Sequence, residues 1–554
     1  MEKKSPSKRL GQLLFLEKKE IVSIYFFAIL SGLIQLSVPL GIQAIIGFVL
    51  GATMVTSIYI LILVVVAGVL FTGILQINQM KVIEKIQQKI FTRYAFEFAE
   101  SMPKFDLKKI DDYYLPEKVN RFFDTLNLQK GISKLLLDVP IASIQVIFGL
   151  LLLSFYHPFF IVFGLLLVFI LWFILRYTSQ LGLSTSLAES KYKYKVVAWF
   201  EEIARVIKTF KFSQGTHLNL YKTDENVLNY LNSRTSHFKI LVFQFRSLLA
   251  FKVAITASML IVGTYLLLNQ QLNIGEFIAA EIVILTVIGA VEKLIGSLDS
   301  VYDTVTALEK LATFTEIPIE KEGHISFNKK NDGTELKLID LNFAYSPGGH
   351  TLNNINLNIP AGSTVCISGE EGSGKTTFLE VLSGNYREFS GAILMNNIPI
   401  VNYQLESLRK NIGLYLHDQD IFEGTVLENI TMGHSNISPE QIIDTAESLG
   451  ISEFLSNMPY GYDTKIDSNG RKLPNTTIKK ILLLRALSNN PGLILLEEPW
   501  QGFDYVVKQK MKEYFLSKNL KATVIIVSNK ADFAKKCDIS IELVKGKAQI
   551  TKNI

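Results

Sequence analysis

The stretch Thr364-Val365-Cys366-Ile367-Ser368-Gly369-Glu370-Glu371-Gly372-Ser373-Gly374-Lys375-Thr376-Thr377-Phe378-Leu379-Glu380-Val381-Leu382 decides how the second half of this chain folds. Thr364 to Ser368 reads as a buried strand, and Ile355 to Ile359 as another shortly before it. Gly369 opens a Gly-x4-Gly-Lys-Thr loop, and Phe378 to Leu382 continues as a helix. Strand, glycine-rich loop and helix in that order are the context a phosphate-binding loop requires. Glycines let backbone N–H groups come close to phosphate, and the helix N-terminus adds its dipole. Gly369, Glu370, Glu371, Gly372, Ser373, Gly374, Lys375, Thr376 and Thr377 are therefore the candidate nucleotide-binding residues. Lys375 is placed to reach the β and γ phosphates, and the Thr376 hydroxyl to bind Mg²⁺.

Further on, Leu493-Ile494-Leu495-Leu496-Glu497-Glu498-Pro499 reads as an apolar strand ending in two carboxylates. In isolation such a sequence is a solvated strand end. Downstream of a phosphate-binding loop it supplies the acids that nucleotide hydrolysis needs. Glu497 suits the water shell of Mg²⁺, and Glu498 suits polarising an attacking water. Around these motifs short apolar runs alternate with polar turns, a pattern that begins after Glu316-Ile317-Pro318. We expect a linker over 313–322 and an α/β P-loop nucleotide-binding domain over 323–554.

The rest of the chain is of another kind. The 554 residues are 49% hydrophobic and only 19% charged, against about 25% charge in soluble domains, and mean hydropathy is +0.28. Disorder and a small disulfide scaffold are excluded. Two cysteines make neither a framework nor a metal cluster, and suit a reducing compartment. A net charge of +5 is too small to point to nucleic acid as a partner. From Ile21 to Met80 there is no Asp, Glu, Lys, Arg or His; Val139 to Leu175 holds only His157, Val253 to Gly275 none, and Phe277 to Val291 only Glu281. A membrane span takes about 20 apolar residues. Six spans are expected, at roughly 21–46, 55–79, 136–156, 158–176, 247–268 and 274–296, with a loop over Phe48 to Ser57 and a tight turn at His157-Pro158. They make 21–312 an α-helical transmembrane domain, because buried helices of a soluble protein are rarely free of charge over such lengths.

Lys3, Lys4, Lys8, Arg9, Lys18 and Lys19 precede the first span and 81–134 holds eleven more Lys and Arg, whereas the loops near 50, 157 and 270 hold none. By the positive-inside rule the segment 1–20, both long loops and both termini are cytoplasmic. The chain is then a multi-pass integral membrane protein whose first partner is the lipid bilayer. Its first apolar run continues straight into a second span, so no signal cleavage is expected. Both long loops are amphipathic: Ile83, Ile86, Ile90, Tyr94 and Phe98 recur at helical spacing, as do Trp199, Ile203, Val206 and Phe210. That pattern extends the spans into the cytoplasm as helices. Glu281 is a carboxylate at membrane depth, costly there and functional by default. It lies two turns from the outer end of the last span, and both solvation at the interface and contact with substrate stay open.

Together these segments resemble an ATP-binding cassette (ABC) transporter of the exporter type, a half-transporter with six spans fused to one nucleotide-binding domain. The resemblance covers nearly the whole chain. Phe343-Ala344-Tyr345 is similar to the family's aromatic loop, which implies that Tyr345 stacks on adenine. Ile412-Gly413, Phe422 to Thr425 and Glu428 to Ile430 resemble the surroundings of the Q-loop, and Gly461 to Thr464 the approach to the signature. Arg485 to Leu487 and Asn490-Pro491 precede the acidic strand in the usual place, and Gly502-Phe503-Asp504 falls on the D-loop. The resemblance implies ATP and Mg²⁺ as cofactors, loop tips that dock on nucleotide-binding domains, and two chains that sandwich two ATP molecules.

The departures shape the functional reading. The signature Leu-Ser-Gly-Gly-Gln falls on Leu473, Pro474, Asn475, Thr476 and Thr477, where the family grips the γ-phosphate of ATP held by the opposite chain. Pro474 removes a hydroxyl and an N–H, while Asn475 and Thr476 are candidates to cap the helix that comes next. The Q-loop Gln falls on His417 and the switch His on Asn529, which cannot carry a proton near neutral pH. Glu497 stands for the usual Asp. The reading is an ATP-dependent translocase with Glu498, His417 and Asn529 in the catalytic positions, an intact nucleotide cradle and weak hydrolysis. It works as a homodimer, or as the impaired half of a heterodimer with a second half-transporter. An ATP-binding membrane scaffold or sensor that transports nothing is the alternative of a different class. About twenty residues precede the first span, so the N-terminal peptidase of some peptide exporters is not expected. Val38 to Gln43 and Gln87 to Phe98 resemble bacterial type I peptide or protein exporters of the inner membrane, which work with a periplasmic adaptor protein; lipid and drug export stay open.

Overall fold

In the computed structural model of the chain the charge-free runs are helical. The structure describes residues 5–51, 56–110, 114–213, 216–346, 349, 351–470 and 472–553. Lys3, Lys4, residues 52–55 of the loop expected between the first two spans and residues 214–215 of the second long loop lie outside them. The described residues fall into two compact units, one within 1–103 and 113–317 and the other within 104–112 and 318–554.

The first unit is helical. Among the described residues six helical segments are long and apolar enough to cross a membrane: Lys18–Leu50, Thr56–Lys104, Leu115–Tyr156, Phe159–Arg205, Leu218–Leu268 and Ile274–Thr315. The expected spans lie on these segments, and every segment outruns the roughly 20 residues a bilayer needs. The excess continues the helices along the amphipathic stripes read from the sequence. Ile83, Ile86, Ile90 and Phe98 are buried, and Phe98 stacks on Phe314 with ring centroids 3.8 Å apart. The second stripe is only half-buried, and its helix breaks at Val206 before resuming as Ile207–Phe212. The first segment also breaks, at Leu36, between helices Lys18–Gln35 and Ser37–Leu50. Pro39 comes just after the break and has no N–H to offer the Gln35 carbonyl. Ahead of these segments lies helix Pro6–Leu16. It is tied down by Arg9, which bonds Glu309 and, at 2.7 Å, Glu316.

The second unit is α/β. Its strands in chain order are β1 (Leu336–Phe343), β2 (Leu352–Ile359), β3 (Thr364–Gly369), β4 (Ser390–Met395), β5 (Ile398–Pro399), β6 (Ile412–Tyr415), β7 (Gly424–Thr425), β8 (Lys465–Ile466), β9 (Leu493–Glu497), β10 (Thr523–Val527), β11 (Ile539–Val544) and β12 (Lys547–Asn553). One sheet runs β2-β1-β4-β5, a second runs β12-β11-β3-β10-β9-β6, and β7 pairs with β8. In the second sheet β11, β3, β10, β9 and β6 are parallel, and β12 closes the edge antiparallel.

These parallel strands are buried on both faces, so their sequences are unbroken apolar runs rather than alternations. The period of two still sorts the side chains. Val365, Ile367, Leu493, Leu495, Ile525 and Val527 enter a core shared with the antiparallel sheet. Cys366, Ile494, Leu496, Val524 and Ile526 enter a second core under the helices. The described residues of 104–112, the tip of the first long loop, belong to this second unit. Asp106 N donates to Pro318 O at 3.0 Å, Glu320 N to Lys104 O at 2.8 Å, and Lys109 bonds Glu388 at 2.9 Å. That bond from Lys109 holds the Glu388 carboxyl below the ordinary carboxylate range.

Candidate nucleotide site

Parallel strands deliver the loops at their carboxyl ends to one edge of the sheet, and ligands of open α/β sheets bind there. Here β3 ends at Gly369, β10 leads to Ser528 and Asn529, β9 ends at Glu497, and β6 leads to Leu416 and His417. The register aligns three of these ends, since Val527 pairs with Ile367 on one side and Glu497 on the other. A cleft of about 630 Å³ opens at that edge. Glu371, Gly372, Gly374, Lys375, Thr376, Thr377, His417, Glu497, Glu498 and Asn529 all line it.

The loop conformation requires glycine at its ends. Gly374 begins helix Lys375–Leu382 with φ 96°, and a Cβ there would lie 2.8 Å from Thr351 O. At Gly369, φ is 149° and a Cβ would lie 2.3 Å from Leu543 O. Lys375 folds back over the loop, donating from Nζ to Gly369 O at 2.8 Å and Glu370 O at 2.6 Å. Its ammonium therefore sits at the mouth of the cradle. Thr376 Oγ1 donates to Glu497 Oε1, and Glu497 Oε2 accepts from His417 N at 3.1 Å. So the backbone of His417, rather than its exposed ring, holds the first acid.

Glu498 occupies a strained backbone, with φ 41° in the region glycine favours. Strain of this kind, about 1–3 kcal/mol, collects at functional sites where surrounding structure enforces it. The enforcing bond is Glu498 N to Val527 O at 3.0 Å. Its carboxylate accepts from Asn529 N at 3.1 Å and from Ser528 Oγ at 3.4 Å. Asn529 Oδ1 accepts the Gly369 N–H at 3.0 Å, which ties the switch position to the phosphate loop.

Other sequence-predicted residues stand apart from the cleft lining. The Tyr345 hydroxyl lies 2.9 Å from Thr377 Oγ1 and donates to Glu380 Oε2 at 3.0 Å, and its ring meets Tyr386 edge-on. Asp504 caps helix Tyr505–Leu516, accepting from Val507 N at 2.9 Å. Leu473 to Thr477 lead into helix Asn475–Leu487, and here one expectation fails. The cap residue is Pro474, with no side-chain acceptor, while Asn475 and Thr476 lie inside the first turn. Proline fixes its own φ and sets the helix start one residue earlier than an Asn cap would. Sequence reasoning missed Thr351, Gln501 and Glu380. Thr351 and Gln501 flank recognised motifs, but only the folded sheet edge shows that they line the cleft.

Two family models match the chain. One, described as ABC transporter, covers residues 352–501, and the other, described as ABC transporter transmembrane region, covers 21–291. The chain belongs to the ABC transporter family. In this ABC transporter a multi-pass membrane domain of six apolar helices precedes the ATP-binding domain. It is 29% identical over 353 residues to the uncharacterized ABC transporter ATP-binding protein YknV of Bacillus subtilis, covering 63% of this chain and 58% of that one. It is 28% identical to the alpha-hemolysin translocation ATP-binding protein HlyB of Escherichia coli O157:H7, covering 51% and 40%. To the beta-(1→2)glucan export ATP-binding/permease protein NdvA of Rhizobium meliloti it is 25% identical, covering 53% and 51%. The chain thus spans less than two thirds of the length of these curated relatives. A solved bacterial Atm1-family ABC exporter with ATP bound shares its fold, with TM-score 0.84 at 16% identity over 96% of this chain and 94% of the other.

Proposed function

We propose that this ABC transporter binds MgATP in the cleft at the sheet edge and couples binding, with weak hydrolysis, to export through the six-helix domain. The observation that carries this reading is the assembly of Lys375, Thr376, Glu497 and Glu498 at the carboxyl ends of adjacent strands. The donor set fits the cofactor: Thr376 Oγ1 and the Glu497 carboxylate are adjacent oxygens, the hard ligands Mg²⁺ prefers. When bound, Mg²⁺ neutralises charge on the phosphate oxygens. Lys375 then exchanges its carbonyl partners for phosphate, and the glycine N–H groups close on the same anion. Glu498, held by Ser528 and Asn529, orients a water.

Weak hydrolysis is supported by the surroundings of these groups. Asn529 uses its side-chain oxygen on Gly369 N–H and has no transferable proton. Pro474 offers no acceptor or hydroxyl at the start of its helix. That last feature favours a heterodimer, in which this helix would weaken the site built on the partner's phosphate loop, over a homodimer. The positive-inside pattern supports cytoplasmic termini and a bacterial inner-membrane location, and the likeness to HlyB, named for alpha-hemolysin translocation, supports a peptide or protein substrate. Photoaffinity labelling of the purified chain by an ATP probe, with and without Mg²⁺, tests the proposal. Labelling that needs Mg²⁺ and that ATP competes away is expected; no competable labelling would overturn it.

A further inference from the structure

Gln501 lines the nucleotide cleft together with Lys375, Thr376, Glu497 and Glu498, and among the described residues no hydrogen bond engages its carboxamide. Its position follows from the sequence Glu498-Pro499-Trp500-Gln501-Gly502-Phe503. Trp500 and Phe503 are apolar and enter the core under the helices, where the Trp500 ring meets Phe533 edge-on with centroids 4.7 Å apart. Gln501 and Gly502, between these two anchors, are left exposed. Gln501 N donates to Glu498 O at 3.0 Å and closes a turn on the strained Glu498. Lys479 Nζ, on helix Asn475–Leu487, donates to Gln501 O at 3.0 Å. The backbone is thus held at both its N–H and its carbonyl, while the side chain stays uncommitted.

Its neighbours in the cleft are largely committed. Lys375 bonds two loop carbonyls, Thr376 bonds Glu497, Thr377 meets the Tyr345 hydroxyl, and Asn529 Oδ1 accepts from Gly369 N. Glu371 is an acid and repels phosphate. Donors to spare belong to the Asn529 amide, the His417 ring, the Thr351 hydroxyl and the Gln501 amide. Of these, Gln501 sits on the turn that begins at Glu498. A carboxamide brings two N–H donors and no charge, so it adds a phosphate contact without disturbing the two carboxylates beside it. We propose that Gln501 is the residue by which this cleft distinguishes ATP from ADP, its side-chain N–H donating to the terminal phosphate. The inference rests on the proposed MgATP site. ADP ends one phosphate short and leaves the amide to water, whereas ATP gives it an ionised acceptor, the stronger kind of partner.

The test is competition by ATP and by ADP against ATP-photoprobe labelling of the full chain in detergent, with Mg²⁺ present and the probe well below saturation. Gln501→Ala should raise the half-competing ATP concentration about tenfold, the lower end of what a hydrogen bond to a charged group contributes, and leave that of ADP within about twofold. Gln501→Glu keeps the size but carries negative charge, and should weaken ATP further. Because the side chain is exposed and unbonded, both variants should unfold at the parent's temperature. Should one unfold earlier, the ratio of its ATP to its ADP half-competition still decides, since a smaller folded fraction leaves that ratio unchanged. Equal losses for ATP and ADP, unchanged ATP competition in Gln501→Ala, or a Gln501→Glu protein that binds ATP as well as Gln501→Ala would overturn the proposal. Labelling of the parent that neither nucleotide competes away would instead refute the MgATP reading of the cleft, and the inference with it.

Discussion

Replacing Lys375 by alanine removes one ammonium and little else. In the structure that ammonium makes two charge-assisted hydrogen bonds, at 2.8 Å and 2.6 Å, to carbonyls of its own loop. Such bonds contribute about 1.5–3 kcal/mol each. A unit charge about 4 Å from phosphate adds about 4 kcal/mol at an effective dielectric of 20. Phosphate oxygens take the place of the carbonyls as acceptors, so the hydrogen bonds cancel; of the Coulomb contribution of about 4 kcal/mol we take about 3 kcal/mol as the net loss in the variant. That is about two decades in affinity. The assay is ATP competition against photoprobe labelling for the parent and Lys375→Ala proteins, with thermal unfolding run alongside to show that both are folded. Half-competition at concentrations within about threefold of each other, under 1 kcal/mol, would refute the placement of Lys375 at the phosphates.

Other consequences concern the membrane unit. In a background lacking the native cysteines, Asn269→Cys should react with an impermeant thiol reagent from outside intact cells and Ser346→Cys should not; the reverse pattern would invert the topology. Glu281→Gln should change export of an identified substrate while ATP labelling stays constant, because the carboxylate sits on the last span, Ile274–Thr315. Unaltered export would assign Glu281 to simple solvation.

The sequence disclosed the features that local periodicity encodes. The charge-free runs gave the helical segments, and the Gly-x4-Gly-Lys-Thr loop gave its own strand and helix, observed at Thr364–Gly369 and Lys375–Leu382. Motif spacing also found Glu497 and Glu498, because a strand's end is a local property. Sheet order is not. Nothing near Cys366 or Cys537 announces that β11 lies against β3, and nothing near Thr351 or Gln501 announces the cleft they line. Residues with two competing uses were equally opaque. Asn475 is a good helix cap by type, yet Pro474 takes the cap position through its fixed φ. His417 offers an imidazole, yet its backbone N–H makes the contact with Glu497.

A transporter that binds ATP yet turns it over slowly has a direct signature in the steady-state ATPase rate of the purified chain. The comparison variant carries Pro474→Ser, Asn475→Gly, Thr476→Gly, Thr477→Gln and Asn529→His together. Losing one preorganised donor costs about 100- to 1,000-fold in rate, and groups that act as one unit do not add. Asn529→His alone should therefore recover little, since Pro474 still spoils the opposite face. The predicted result is near-background turnover in the parent protein and a rise of at least about tenfold in the fivefold variant, abolished by Glu498→Gln. Brisk turnover in the unmodified chain, lost on Glu498→Gln, would contradict slow hydrolysis and make the protein an ordinary motor.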